Sequence, residues 1–197
     1  MKKKIILILF LFFYTVTPNY APAIEPDVFV QSTVNRASQI LSKNLPKDQK
    51  IKELKSIAME TVDIKGVAYY SLGSARKNLN DNEKKKYLNL FKAYFLKSFS
   101  SRLAEYTNPE IEVNDKVVLN KNYTIVNSVL IGTAERPEVK IDWRIYTKNP
   151  DNPLIRDLII EGLSLARTQK EEFASILNSN DGDIKALFKT LEEFSNN

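Results

Sequence analysis

Apolar residues return every third or fourth position from Asp27 onward. Val30, Val34, Ala37 and Leu41 fall on one stripe with polar residues between them, which predicts a helix that Pro46 ends. Asp27 is placed to cap its start. Ile51, Leu54 and Ala58 mark a second helix whose other face is rich in Lys, and a third covers residues 63–72 and stops at Gly73. Asn80 and Glu83 then open the longest helix as a reciprocal capping box. On it Phe91, Phe95 and Phe99 repeat every fourth residue, Leu103 and Tyr106 follow, and Leu88, Tyr94 and Leu96 widen the stripe.

At Pro109 the period changes from 3.6 to 2. Ile111, Val113, Val117 and Leu119 alternate with polar residues, residues 123–133 are apolar on both faces, and Val139, Ile141, Trp143 and Ile145 alternate with Lys140, Asp142, Arg144 and Tyr146. Turn residues separate these runs at 120–122, 135–137 and 149–153. Short loops between consecutive strands predict an antiparallel meander of four, because parallel strands need long crossovers. The fourth strand is expected to run past Gly162, read as a bulge, and to end near Arg167. Thr168 and Glu171 fit a capping box for the next helix, and Ile184, Leu187, Phe188 and Leu191 form a last one beyond Gly182. Helices, then a sheet, then helices make an α+β chain.

The N-terminus changes the charge picture. Lys2, Lys3 and Lys4 precede an unbroken apolar run from position 5 to 14, Pro18 follows, and Ala21-Pro22-Ala23 supplies small residues for cleavage. Residues 1–23 are therefore expected to be a secretory signal peptide, too short in its apolar part to span a bilayer, which needs about 20 residues. The remaining 24–197 is expected to be a single exported domain. Removing three Lys and no acid lowers the basic count from 29 to 26 against 24 acids, a net charge of +2. A near-neutral surface argues against nucleic acid as a partner.

With no Cys and no His, thiolate and imidazole metal sites are excluded, as is any triad that needs His as its base. The five glycines are too scattered for a phosphate-cradling loop. Ser74 and Lys77 fit the Ser-x-x-Lys pattern, but its companion motifs are missing. Lys84, Lys85 and Lys86 read as a solvated helix turn. Glu161 is a carboxylate within an apolar run, expected either to reach outward and bond backbone amides there or to stand at a partner surface or cavity mouth. No enzyme and no cofactor is expected; surplus apolar faces on an exported domain suggest a binder of something apolar.

"GVAYYSLG", "DNEKKKYLNLFKAYFLKSFSSRLAEYTN", "DWRIY" and "IRDLIIEGLSLARTQKEEF" together resemble the MlaC or toluene-tolerance family. The most specific part is Asp157, Glu161, Gly162, Ser164, Thr168 and Phe173 at the family's spacing. The resemblance implies an NTF2-like fold whose helices and curved sheet enclose an apolar pocket, and a periplasmic location. The implied cargo is a glycerophospholipid. The implied partners are an outer-membrane lipoprotein–porin complex and an inner-membrane ABC transporter with an MCE-domain protein. Parity and periodicity select Tyr69, Leu72, Phe91, Phe95, Phe99, Val117, Ile125, Val129, Ile141, Trp143, Ile145, Leu158, Ile160 and Leu163 as pocket residues. Two alternatives stand beside this: an NTF2-like small-molecule binder or enzyme using Tyr69, Tyr70, Tyr94 or Asp157, and an adaptor whose apolar stripe binds another protein.

Overall fold

In the computed structural model, residues 23–134 and 136–196 are described; the expected signal peptide lies outside them but for Ala23, which is exposed. Helices α1 (Pro26–Ser42), α2 (Lys47–Thr61), α3 (Ile64–Leu72) and α4 (Asp81–Leu103) come first, with a 3₁₀ turn at Gly73–Lys77 between α3 and α4. Strands β1 (Ile111–Asn120), β2 (Tyr123–Leu130), β3 (Val139–Tyr146), β4 (Leu154–Ile160) and β5 (Leu163–Ser164) follow, then α5 (Leu165–Asn178) and α6 (Ile184–Asn196).

Local chemistry sets most boundaries. The Asn80 side chain accepts from the Glu83 amide while the Glu83 carboxylate accepts from the Asn80 amide, so the expected capping box is formed. The Asp63 carboxylate caps α3 by accepting from the Gly66 amide at 2.8 Å. Gly73, at φ +61°, ends α3 in a conformation that favours glycine. Asp27 does not cap α1: Pro26 already opens the helix, and the Asp27 carboxylate turns to Lys116 of β1 at 2.7 Å.

The five strands form one antiparallel sheet in the order β1-β2-β3-β4-β5. The expected four-strand meander gains a fifth strand because β4 stops at Ile160 rather than continuing to Arg167. Glu161 (φ +49°) and Gly162 (φ +82°) both adopt positive φ, and Ile160 pairs with Leu163 across them. That is the geometry of a two-residue hairpin turn, not a bulge. The ladder's bulge lies instead where Arg144 opposes Asp157 and Ile145 opposes Ile155. Helix α5 then begins at once, capped by the Ser164 hydroxyl, which accepts from the Arg167 amide at 3.1 Å. The expected Thr168–Glu171 box is not made; Thr168 donates back to the Ser164 carbonyl. Of the 135–137 turn, Glu135 is outside the described residues, and Thr133 and Arg136 bridge beside it.

Cross-strand partners share a face of the sheet. Val126, Trp143 and Leu158 are partners, as are Ser128, Ile141 and Ile160, and this inner face packs under Val30 and Val34 of α1. The buried Trp143 indole donates to the Ser128 hydroxyl at 2.8 Å, so its one polar group is satisfied. A second core is wholly helical. It joins Tyr87 and Phe91 of α4 to Val67, Ala68 and Leu72 of α3, Phe173 and Leu177 of α5, and Leu187, Phe188 and Leu191 of α6. A third, smaller cluster holds Ile40 and Leu41 of α1 against Leu54 and Ile57 of α2.

Candidate functional site

The helical core and the sheet core are separate clusters, and Val62, in the link between α2 and α3, packs against both. Helix α4 packs on α2, α3 and α6, whereas the sheet's helical neighbours are α1, α3 and α5. The boundary between these two cores is a seam, which Val62 bridges. At one end of it several apolar side chains join no core. Phe99 on α4 is half-buried, stacks on Phe95 and belongs to none of the three clusters. Leu130 and Val139, cross-strand partners on the inner face, are half-buried and outside the sheet core, and so is Ile160 on the same face. Ile131, Leu163 and Leu165 on the adjoining rim are exposed, Leu163 at 58%. An apolar surface left half-open in this way still loses free energy to water, at about 25 cal/mol per Å².

This end is also where α4 leaves the helical layer. The Ile131 amide donates to the Glu110 carbonyl at 2.8 Å, and the Arg136 guanidinium lies 5.3 Å from the centre of the Tyr106 ring. The loop after α4 and the loop between β2 and β3 thus meet beside Leu130 and Val139. On the α5 side, the Tyr94 hydroxyl donates to Gln169 Oε1 at 2.7 Å, and Gln169 Nε2 donates to Glu172 Oε2 at 2.9 Å. Burial, then the Glu172 charge, raises the Tyr94 hydroxyl above the ordinary phenol range.

The ladder of rings on α4 is graded from core to seam. Phe91, 1% exposed, meets Phe173 edge-on with centroids 6.2 Å apart. Phe91 and Phe95 stack at 6.1 Å, and Phe95 and Phe99 at 5.6 Å, with planes 12° and 11° apart. Phe95 still packs against the helical core and Phe99 does not.

The fourteen pocket residues read from the sequence divide among several places. Leu72, Phe91, Trp143 and Ile145 are buried core. Phe95, Phe99, Ile141, Leu158 and Ile160 lie along the seam, and Leu163 is on its rim. Tyr69 is half-buried on α3. Val117, Ile125 and Val129 are on the outer face: Val117 pairs with Ile125, Ile125 with Arg144, and Val129 with Lys140. Residues on opposite faces cannot line one pocket, so the sheet positions in that set split into two groups. Strand β2 is apolar on both faces, which removes the alternation that would have told them apart. Leu130 and Val139, half-buried on the inner face, and the exposed Leu165 lie outside that set. The clean alternation of β3 pointed to Val139, and its cross-strand partner Leu130 follows once the register is known.

The most specific residues of the resemblance build an elbow. Asp157, its side chain 2% exposed, accepts from the Ser164 hydroxyl at 2.6 Å and from the Ala166 amide at 2.9 Å, with Arg144 at 3.7 Å. It therefore holds the first turn of α5 to β4, and its charge suits a helix N-terminus. Glu161 Oε1 accepts from the Lys140 amide at 2.5 Å, bonding backbone as expected, although at a turn. Phe173 inserts into the helical core against Tyr87, Phe91 and Tyr94.

The candidates for chemistry are occupied or dispersed. Tyr94 and Asp157 are committed to the bonds above, and Tyr70 lies under the Lys170 ammonium, 5.4 Å from its ring centre. Ser74 and Lys77 are both exposed on the 3₁₀ turn. Lys84 pairs with Asp81 at 3.4 Å and Lys86 with Glu192 at 3.0 Å. Among the described residues no group of acids has the arrangement of a metal site, and no helix is long and apolar enough to cross a membrane. Two shallow surface depressions, of about 520 and 300 Å³, lie along α1 and between α1 and α2. Their walls include Gln39, Ser42, Lys43 and Ser56, and none of the fourteen residues lines either.

A solved structure with a similar fold is the phospholipid-binding protein from Ralstonia solanacearum in complex with a phospholipid. The two superpose with a TM-score of 0.74 at 20% identity, over 87% of this chain and 97% of that one. A search of curated proteins by sequence finds no match. The MlaC protein family model matches residues 31–193, from within α1 to within α6, and the chain therefore belongs to the MlaC family.

Proposed function

We propose that this protein is a periplasmic phospholipid carrier that takes a glycerophospholipid between an outer-membrane lipoprotein–porin complex and an inner-membrane ABC transporter with an MCE-domain protein. The observation that carries this reading is the seam. Phe99, Leu130, Val139 and Ile160 are half-buried and belong to none of the three cores. Membership of the MlaC family and the phospholipid held by the similar fold support the same cargo. A binder needs no His, Cys or metal, in keeping with the composition.

The energetics suit contact transfer. Burying about 30 methylenes at roughly 0.8 kcal/mol each gives an upper bound near 25 kcal/mol. Release into water would then be very slow, and a partner must receive the chains directly. The residues of the α5 elbow act as structural supports: Asp157 and Ser164 fix the angle at which Leu163 and Leu165 meet the seam.

The test is a transfer assay with a fluorescent phospholipid, from donor vesicles to the protein and from the protein to an acceptor complex. Uptake that Leu130→Glu and Ile160→Glu both abolish, with folding retained, is the expected result. No uptake by the folded wild-type protein would contradict the reading and favour a small-molecule binder or an adaptor.

A further inference from the structure

We infer that Arg102 holds the phosphate of the cargo at the open end of the seam, a role that rests on the carrier reading above. Arg102 is in the last turn of α4. It follows Phe91, Phe95 and Phe99 at positions i, i+4, i+8 and i+11, which fall within about 80° of one another on a helix with 3.6 residues per turn. At 1.5 Å per residue the stripe is roughly 16 Å long. It is apolar along three rings and ends on a guanidinium. A phospholipid has the same order of polarity, from acyl chain to phosphate.

The charge is free to be used. Arg102 is exposed and pairs with no acid among the described residues, and its side chain makes no hydrogen bond there. The polar groups between α4 and α5 are spent on each other, Tyr94 on Gln169 and Gln169 on Glu172. Lys97, one turn earlier, donates to the carbonyls of Phe194 and Ser195 at the end of α6. The Arg102 charge also acts on the Tyr94 hydroxyl of the same helix, lowering its pKa against the larger effect of burial. Arg136, over the Tyr106 ring, brings a second cation to the same end. An arginine fork matches two phosphate oxygens at once, and charged hydrogen bonds of this kind are the strong ones.

Free phosphate has the same chemistry as a headgroup, and a helix C-terminus also favours a cation for stability alone. One experiment separates these. The full chain is purified from a bacterial host, stripped of lipid, and offered vesicles containing phosphatidylglycerol and diacylglycerol in equal amounts. Bound lipid is then extracted and counted. Wild type is expected to prefer the phospholipid, Arg102→Gln to lose that preference by about tenfold, and Arg102→Lys to keep part of it. Diacylglycerol uptake is expected to be the same in all three. An unchanged preference in Arg102→Gln, or an equal loss of both lipids, would overturn the assignment. So would inorganic phosphate perturbing the Arg102 side-chain resonance with no effect of Arg102→Gln on lipid preference, which marks a free-anion site. Wild type that takes up neither lipid removes the carrier reading itself, before any variant is compared.

Discussion

Truncating two rings of one helix separates core from lining. Phe91 is 1% exposed and meets Tyr87, Tyr94, Phe95 and Phe173 with centroids 5.9 to 6.3 Å away. Phe91→Ala leaves a cavity among side chains that cannot close over it, at a cost of about 3–5 kcal/mol. That is a large share of the 5–15 kcal/mol by which a domain of ordinary stability stays folded. Phe99 stacks on Phe95 and joins none of the three clusters. Phe99→Ala removes one aromatic pair, about 0.5–1.5 kcal/mol, and little else from the lipid-free fold. Its area facing the seam is instead lost to the cargo, and a ring contact of about 1.4 kcal/mol corresponds to a tenfold drop in retention. Urea unfolding of lipid-free protein gives the first quantity and phospholipid uptake by the same preparations gives the second. If Phe99→Ala destabilises the lipid-free protein as much as Phe91→Ala does, or leaves uptake unchanged, Phe99 is ordinary core and the seam is misplaced.

Three further outcomes follow from the geometry. Asp157→Ala removes the acceptor for the Ser164 hydroxyl and the Ala166 amide, and is expected to lower unfolding free energy by about 3 kcal/mol, since hydrogen bonds to a charged group contribute about 1.5–3 each; a loss near zero in urea titration would remove the elbow from the account. Ser128→Ala leaves the buried Trp143 indole N–H without its partner and should cost about 1–2 kcal/mol, with a shifted tryptophan emission as the local reporter. The hydrogen bond from Lys116 holds the Asp27 carboxyl below the usual carboxylate range. A depressed folded-state pKa gives stability that is present above the unfolded value and is lost as pH falls through the folded one. The melting-temperature difference between wild type and Asp27→Asn should therefore be small, since the pair is partly exposed, and should vanish in acid. A difference that persists at the acid end of the titration would contradict this.

Much of the fold was legible because its signals are local. The stripe of Val30, Val34 and Leu41, the capping box at Asn80 and Glu83, and the alternation of β3 all lie within a few residues of one another. The elbow was misread for the opposite reason. Glu161 is not a residue that advertises a positive φ, so Glu161 and Gly162 did not stand out as a turn, and the apolar run through Leu163 and Leu165 looked like one strand. Thr168 and Glu171 then offered a capping pattern, but Ser164 reached the free amides first, helped by Asp157 from another strand. No local pattern announces a carboxylate that arrives from the neighbouring strand.

The candidate site was legible only in part. Helix period put Phe91, Phe95 and Phe99 on one stripe, where their rings do stack, yet it could not say where core stops along that stripe. On the sheet, parity distinguishes two faces only where one is polar. Strand β3 has that contrast and β2 does not, so Ile125 and Val129 joined residues of the other face. The rim depends on the β4–β5 turn, and Leu165 could not be placed before that turn was known.

The most direct test of the central claim is native mass spectrometry of the protein purified from a periplasm without detergent. The account predicts an adduct that extraction identifies as a glycerophospholipid, lost in Leu130→Glu and Ile160→Glu and retained in Val117→Glu on the outer face. A clean lipid-free mass, unchanged after incubation with phospholipid vesicles and the two membrane complexes, would contradict it.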